Sequence, residues 1–291
     1  MGTNTGIEGE PLIRFGAFIV VFFAMALWEA LAPRRQRALA RTTRWPHNIA
    51  LLLVDVAVLR VLLPGAATAV ALAGEAQGYG LLNTVALPAS ITIPLGVAAL
   101  DLALYFQHVT FHAVPALWRL HRVHHSDLDV DVTTGTRFHP IEIVISAGVK
   151  CAAVAAIGAP AIAVLVFEVL LNATAVFNHA NVTLPPAFDR RLRWLLVTPD
   201  MHRVHHSIVY NETNSNFGFN LPWWDRLFGT YRAQPASGHE MMTIGVDAFR
   251  SPEDVRLDRL LVQPLLDTPG GYAINRRPDA PKEVAGIKPR S

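Results

Sequence analysis

The strongest constraint on the fold of this chain is a set of four long apolar runs. They cover residues 15–32, 49–73, 87–106 and 141–177 of 291 residues, of which only 16% are charged and 52% are hydrophobic. Soluble domains carry roughly 25% charged residues, and about 20 apolar residues in a helix span the hydrocarbon core of a bilayer. The sequence therefore predicts an all-α integral membrane protein with about four membrane segments.

The fourth run differs from the others because it is about twice the length of one span and is interrupted by Gly158 and Pro160. We interpret residues 141–177 as a membrane hairpin that enters and leaves on the same side. The chain then divides into N-terminal spans at 1–106, a histidine-rich region at 107–232 that includes the hairpin, and a cytosolic C-terminal extension at 233–291.

Basic residues indicate the orientation of these segments. Five arginines lie between the first and second runs, whereas residues 74–86 contain neither Lys nor Arg. The positive-inside rule places residues 33–47 in the cytoplasm, so we expect an inner-membrane protein of a bacterium with a histidine-rich helical cap on the cytoplasmic side. The formal net charge of +2 is too small to indicate a nucleic-acid partner.

The twelve histidines, against a single cysteine, are concentrated in three short boxes. His108 and His112 form an HxxxH box, and two HxxHH boxes follow it, at 121–125 and 202–206. Spacings of three and four residues place side chains on one face of a helix, about 5–6 Å apart at Cβ. Two imidazoles at that separation can reach one metal ion or two adjacent ions.

Ten histidines are candidate metal ligands, and imidazole-rich sites favour Fe, Zn, Cu or Ni over Mg or Ca. A structural zinc site needs four ligands, so this number indicates two metal ions. The chain has no HExxH motif of a zinc peptidase and no Glu-x-x-His motif of a ferritin-like di-iron bundle. The candidates are His108, His112, His121, His124, His125, His139, His179, His202, His205 and His206.

The three boxes, spread over membrane helices with a hairpin between the second and third, resemble those of the fatty acid hydroxylase and sterol desaturase superfamily. Phe138-His139-Pro140-Ile141-Glu142 and the segment Trp224 to Tyr231 agree with this resemblance, which extends from about Asp101 to Tyr231. The resemblance implies a di-iron centre, held by the box histidines and by His179 and His139, that uses O2 to hydroxylate or desaturate a lipid. We expect hydroxylation, and we expect zinc to replace iron readily in purified protein.

The resemblance also suggests roles for carboxylates and for a partner. Asp101 lies on the same helical face as His108 and His112, so we expect it to act at the centre as a direct ligand or as the partner of a ligand. Asp127, Asp129, Asp131, Glu142 and Asp200 are weaker candidates, and the aspartates beside the second box are also compatible with a solvated face. No flavin, NAD or haem motif is present in the sequence, so we expect an external electron-donor protein.

Two other classes of function remain open at this stage. A membrane zinc hydrolase would use its metal to activate water, but it needs fewer histidines and a general base. A non-catalytic metal-binding or transport protein is the other alternative, although transporters usually place their ligands near the middle of the membrane.

Overall fold

A computed structural model describes residues 9–268 and residue 274 of the chain. The described residues form helices and connecting loops, with two isolated β-bridges, Pro33 with Val182 and Ser207 with Ile244. Thirteen α-helices follow one another: α1 Glu10–Leu31, α2 Arg41–Leu62, α3 Ala66–Gln77, α4 Ala89–Ala113, α5 Pro115–His125, α6 Pro140–Ile157, α7 Ala161–His179, α8 Pro186–Leu192, α9 Pro199–His205, α10 Tyr210–Thr213, α11 Trp223–Leu227, α12 Gly238–Met241 and α13 Leu257–Val262. Proline occupies the first turn of several of them, where its missing N–H is not needed.

Five segments of the described chain are long and apolar enough to cross a membrane: Glu10–Leu31, Arg41–Thr84, Ala89–Ala113, Pro140–Ile157 and Ala161–His179. This confirms the all-α membrane fold, and the predicted hairpin supplies two of the five as α6 and α7. The second segment contains both α2 and α3. A break at residues 63–65, which includes Pro64, separates the two helices.

The tip of the hairpin packs tightly against the loop that precedes α4. Gly158 ends α6 with a φ of 68°, and Gly80 in the facing loop has a φ of 90°. A Cβ added to Gly80 would lie 2.4 Å from the Cα of Gly158, closer than any real contact allows. Both positions therefore require glycine, for the left-handed backbone and for the close approach of the two chains.

The other end of the bundle carries the histidines. The first box is at the end of α4, and His179 is the last residue of α7. At the same end, buried Glu29 near the end of α1 accepts backbone hydrogen bonds from Val132 at 3.0 Å and from Asn181 at 2.7 Å. The ends of α1, α4 and α7 and the start of α6 thus support a cap built from the loops and short helices that follow them.

A buried arginine anchors this cap to α2. Arg44 has no exposed surface, and its guanidinium donates to both carboxylate oxygens of Asp127, at 2.7 and 2.6 Å, and to Asp131 at 2.6 Å. Asn48, one turn further along α2, donates to Asp127 and to Thr133. α2 begins at Arg41, several residues before the predicted span at 49–73, and these contacts lie in the additional turns.

The C-terminal extension packs on the cap as far as the structure describes it. Leu260 of α13 lies in a buried cluster with Leu51 of α2 and Val123 of α5. Arg122 of α5 donates to the carbonyls of Gln263 and Leu266. Residues 233–268 are therefore part of the cap rather than a separate tail, and most of the predicted extension beyond 268 lies outside the described residues.

Candidate metal centre

Nine of the ten candidate histidines converge in two groups within the cap. The first group contains five residues, and the second contains four. Within each group, every side chain offers a ligand nitrogen within 4.8 Å of the others, and all nine residues are buried. The groups are His108, His112, His121, His125 and His205, and His124, His179, His202 and His206.

The two HxxHH boxes each contribute to both groups, in opposite senses. On α5, His121 and His125 belong to the first group and His124 to the second. The third box lies on α9 and just after it. Its His202 and His206 belong to the second group, and its His205 belongs to the first. Because residues four apart share a helix face and adjacent residues do not, this spacing divides each box between two neighbouring positions.

The two groups are adjacent in space. The ring centroids of His125 and His206, which belong to different groups, lie 4.7 Å apart, and those of His108 and His205 within the first group lie 4.6 Å apart. Two metal ions bound in these groups would therefore be neighbours rather than independent sites.

Five of the nine imidazoles are oriented by an acceptor at Nδ1. The ring nitrogen of His108 lies 2.8 Å from the carbonyl of Phe217, and that of His121 lies 2.7 Å from Glu142 Oε1. A donor Nδ1–H leaves Nε2 as the lone-pair atom, which is the arrangement usual for metal ligands. The other three acceptors are Asn214 Oδ1 for His112, the carbonyl of Ala175 for His179 and the carbonyl of Ser215 for His205.

The inward-facing nitrogens lack ordinary partners. Nε2 of His112, Nε2 of His205 and both ring nitrogens of His125 are buried without a hydrogen-bond partner among the described residues. In the second group, Nε2 of His179 lies 3.2 Å from that of His124 and 3.0 Å from that of His202. Buried polar atoms without partners are costly, and lone pairs that converge in this way suit a bound divalent cation such as iron or zinc.

Burial also keeps the cap histidines neutral. It lowers the pKa of His121 to about 3. Burial first, and then the neighbouring histidines, lower the pKa of the other box residues on α5 and around α9 well below the ordinary value. A neutral imidazole retains the lone pair that binds a metal, so the environment favours ligation near neutral pH.

The tenth candidate, His139, lies outside both groups because both of its ring nitrogens are engaged elsewhere. Its Nδ1 accepts from the backbone N–H of Ile141 at the start of α6, and its Nε2 lies 3.1 Å from the carbonyl of Leu261. His139 therefore caps α6 and ties it to the C-terminal extension.

Asp101 is also outside the two groups. One carboxylate oxygen accepts from the amide of Asn220, and the other accepts from Trp224 Nε1 at 2.8 Å and from the backbone N–H of Leu221. Phe217, whose carbonyl orients His108, lies three residues before the first of these donors. The carboxylate contacts the loop that follows Phe217 and none of the nine grouped histidines.

Several residues that shape the centre carry little signal in the sequence. Asp127 and Asp131 are fully buried partners of Arg44 and do not form a solvated face. Asp200 instead pairs with Arg34 and Arg203 in the cap. Glu142 is the one weaker carboxylate candidate that contacts a box histidine. Arg44, and the backbone acceptors at 215 and 217, follow no recognisable motif and depend on tertiary contacts.

Sequence comparison identifies relatives of the histidine-bearing region. Residues 93–230 match the fatty acid hydroxylase family. The chain is 32% identical to the ornithine lipid hydroxylase OlsE of Rhizobium tropici over 51% of its own length and 44% of that protein. It is 32% identical to the alkylglycerol monooxygenase of Xenopus tropicalis over 45% of its length, and 30% identical to the very-long-chain aldehyde decarbonylase GL1-1 of Oryza sativa subsp. indica over 53%.

The chain covers less than half the length of these relatives, namely 44%, 28% and 25% of the three proteins in turn. No solved structure matches it. The matched region contains all three histidine boxes and His179, and the structure gathers these residues into the two groups. Residues 93–230, just under half of the chain, are therefore similar to the fatty acid hydroxylase family.

Proposed function

We propose that this chain is a di-iron membrane oxidoreductase that uses O2 to hydroxylate a lipid. The observation that carries the proposal is the pair of adjacent groups, of five and four buried histidines, at one end of an apolar helical bundle. The ornithine lipid hydroxylase and the alkylglycerol monooxygenase among the relatives favour hydroxylation over desaturation. The substrate would be a sterol, a fatty acyl chain or a related hydrophobic molecule.

Two bound iron ions would supply the activation of O2. The overall reaction converts a lipid C–H bond, O2, two electrons and two protons into a C–OH group and water. The two electrons would come from an external electron-donor protein. The nine imidazoles would hold the ions, and the backbone acceptors at Phe217 and Ser215 would keep the ligand nitrogens turned inward.

The position of the centre suits a substrate that is dissolved in the bilayer. His108 and His112 are near the end of α4, and His179 ends α7, so the ligands begin where two apolar helices meet the cap. A lipid could approach laterally between the helices, with its polar end at the interface, while the buried cap excludes water. By the positive-inside rule, the arginine-rich loop after α1 favours a cytoplasmic location for this end of the bundle.

The same centre weighs against the alternatives. A zinc hydrolase needs a general base beside its metal-bound water, and the two ligand groups found among the described residues contain only histidines. Glu142 does contact a grouped histidine, at Nδ1 of His121. That nitrogen is on the opposite side of the ring from Nε2, which faces the other ligands. Transporters usually place their ligands near the middle of the membrane, whereas His112 and His179 lie at the ends of α4 and α7.

Comparative lipid mass spectrometry tests the proposal. A strain that lacks the gene is complemented with the wild-type chain or with His124→Ala, and both proteins are quantified in the membrane fraction. We expect a lipid that is one oxygen heavier only with the wild-type chain. A lipid that loses two hydrogens instead would indicate desaturation, and identical lipid profiles with both proteins present would contradict a lipid oxidase.

A further inference from the structure

A positively charged cleft lies beside the metal centre but is separate from it. It has a volume of about 690 Å³ and is lined by Pro33, Arg34, Arg35, Gln36, Arg37 and Glu240. Five of these residues belong to the loop between the end of α1 and the start of α2, and Glu240 belongs to α12. The loop joins two membrane helices, so the cleft lies at the border between the bilayer and the cap.

The loop is held firmly by its own contacts. Arg34 donates to Asp200 at 3.3 Å, and Arg35 donates to the carbonyl of Met242 at 3.0 Å. Asn181, just after α7, exchanges hydrogen bonds with the backbone of the same two arginines. A site that is already rigid before binding loses less entropy when its ligand arrives.

The charges that line the cleft are unbalanced. Glu240 is the one carboxylate among the six lining residues, its side chain is 77% exposed, and it already pairs with Arg34. Nε and Nη2 of Arg37 are buried without an acceptor among the described residues, and so is Nε of Arg35. Burial lowers the pKa of Arg35, and the charge of Asp129 offsets this effect only in part.

Guanidinium groups recognise phosphate through paired, charge-assisted hydrogen bonds. Basic pockets at the cytoplasmic ends of membrane helices bind the headgroups of anionic lipids. From the three arginines in the lining, of which Arg37 has no carboxylate partner among the described residues, and from the position of the loop, we infer that this cleft binds a phosphate group. The phosphate belongs either to the headgroup of an anionic phospholipid or to a small soluble phosphate compound.

The cleft is coupled to the metal centre through two short connections. Asn181 is two residues beyond His179, and Asp200 is two residues before His202. A phosphate bound by the loop would therefore brace the two segments that carry ligands of the second group. This inference does not depend on the proposed reaction, because phosphate binding and lipid oxidation are measured separately.

The test uses the full-length protein in detergent and two probes, dioleoyl phosphatidylglycerol and inorganic phosphate. Native mass spectrometry measures retention of the lipid, with phosphatidylcholine as the zwitterionic comparison, and calorimetry measures phosphate binding. Arg37→Gln removes the guanidinium with vacant donors and leaves the contacts of Arg34 and Arg35 in place. Arg259→Gln, at an exposed position of α13, is the matched control. The thermal unfolding midpoint of each variant reports whether it has folded.

We expect Arg37→Gln to weaken binding about tenfold or more, as the loss of a charge-assisted hydrogen bond implies, and Arg259→Gln to leave it unchanged. Glu240→Gln, which removes an exposed carboxylate from the cleft, should strengthen binding even if Arg37→Gln fails to fold. Retention of phosphatidylglycerol alone identifies a lipid headgroup, whereas calorimetric binding of phosphate identifies a soluble ligand. Failure of both probes to bind the wild-type protein, or affinities that neither substitution changes, would overturn the inference.

Discussion

Glu142 Oε1 accepts a hydrogen bond from Nδ1 of His121 at 2.7 Å, and both side chains are almost fully buried. The carboxylate is in the first turn of α6, and the imidazole is on α5. This contact connects the membrane hairpin to the first ligand group and fixes the tautomer in which Nε2 of His121 faces the other ligands.

Removing this acceptor should lower the affinity of the first ligand group for its metal ion. Substitutions of groups that orient a metal ligand typically reduce metal affinity by about 10–100-fold, and we expect Glu142→Ala to fall in that range. Glu142→Gln retains an oxygen that can accept the same hydrogen bond and should lose less. Competition with a chelator measures both affinities, and equal affinities for Glu142→Ala and wild type would show that the contact does not orient the ligand.

The buried ion pair of Arg44 should be essential for the stability of the cap. Arg44→Met would leave Asp131 buried without its cation and Asp127 with only the more distant Arg137 at 3.6 Å. Breaking a buried pair of this kind costs about 3–5 kcal/mol. We expect a clearly lower thermal unfolding midpoint in detergent. The matched control is Arg256→Met, which removes an exposed arginine that pairs with Asp258 and should change the midpoint little. Similar midpoints for the two variants would contradict the role of Arg44.

Acid should destabilise the metal-free protein. Burial lowers the pKa of the cap histidines in the folded state, to about 3 for His121, whereas in the unfolded chain they titrate near 6.5. Between these values the unfolded state binds more protons, so stability falls as pH decreases below about 6.5. Unfolding midpoints of apo-protein at pH 7.5, 6.5 and 5.5 measure this effect, and a midpoint that stays constant or rises toward acid would contradict it.

The proposed topology, with the cap in the cytoplasm, rests on the arginines of the first loop and the absence of Lys and Arg from residues 74–86. In a Cys151→Ala background, Gln77→Cys and Ser251→Cys each introduce one exposed thiol. The outer membrane of the cells is permeabilised and the inner membrane is left intact. A thiol reagent that cannot cross the inner membrane should then label Gln77→Cys but not Ser251→Cys. Labelling of both positions, or of Ser251→Cys alone, would contradict the cytoplasmic location of the cap.

The sequence predicts the helical membrane fold and nine of the histidines that the structure brings together, because both follow from local patterns. Apolar runs determine where helices cross lipid, and spacings of three and four residues determine which imidazoles share a helix face. That spacing also implies that each HxxHH box is divided between two groups. It does not show which histidines of other helices complete each group.

The remaining features depend on contacts between distant parts of the chain. An arginine such as Arg44 in a basic loop looks like an interfacial residue until Asp127 is placed against it. His139 and Asp101 have suitable positions in the sequence, but their polar atoms are engaged by Ile141 and Leu261 and by the segment 220–224. No local pattern distinguishes a histidine that caps a helix from one that binds a metal.

The number of metal ions per chain tests the central claim most directly. Protein purified without a histidine tag is reconstituted anaerobically with ferrous iron, freed of unbound metal and analysed for iron and protein. Two adjacent groups of five and four histidines predict two iron ions per chain, and His139→Ala should retain both because its ring nitrogens are engaged elsewhere. A ratio of one iron ion per chain, or of none in folded protein, would contradict the di-metal centre.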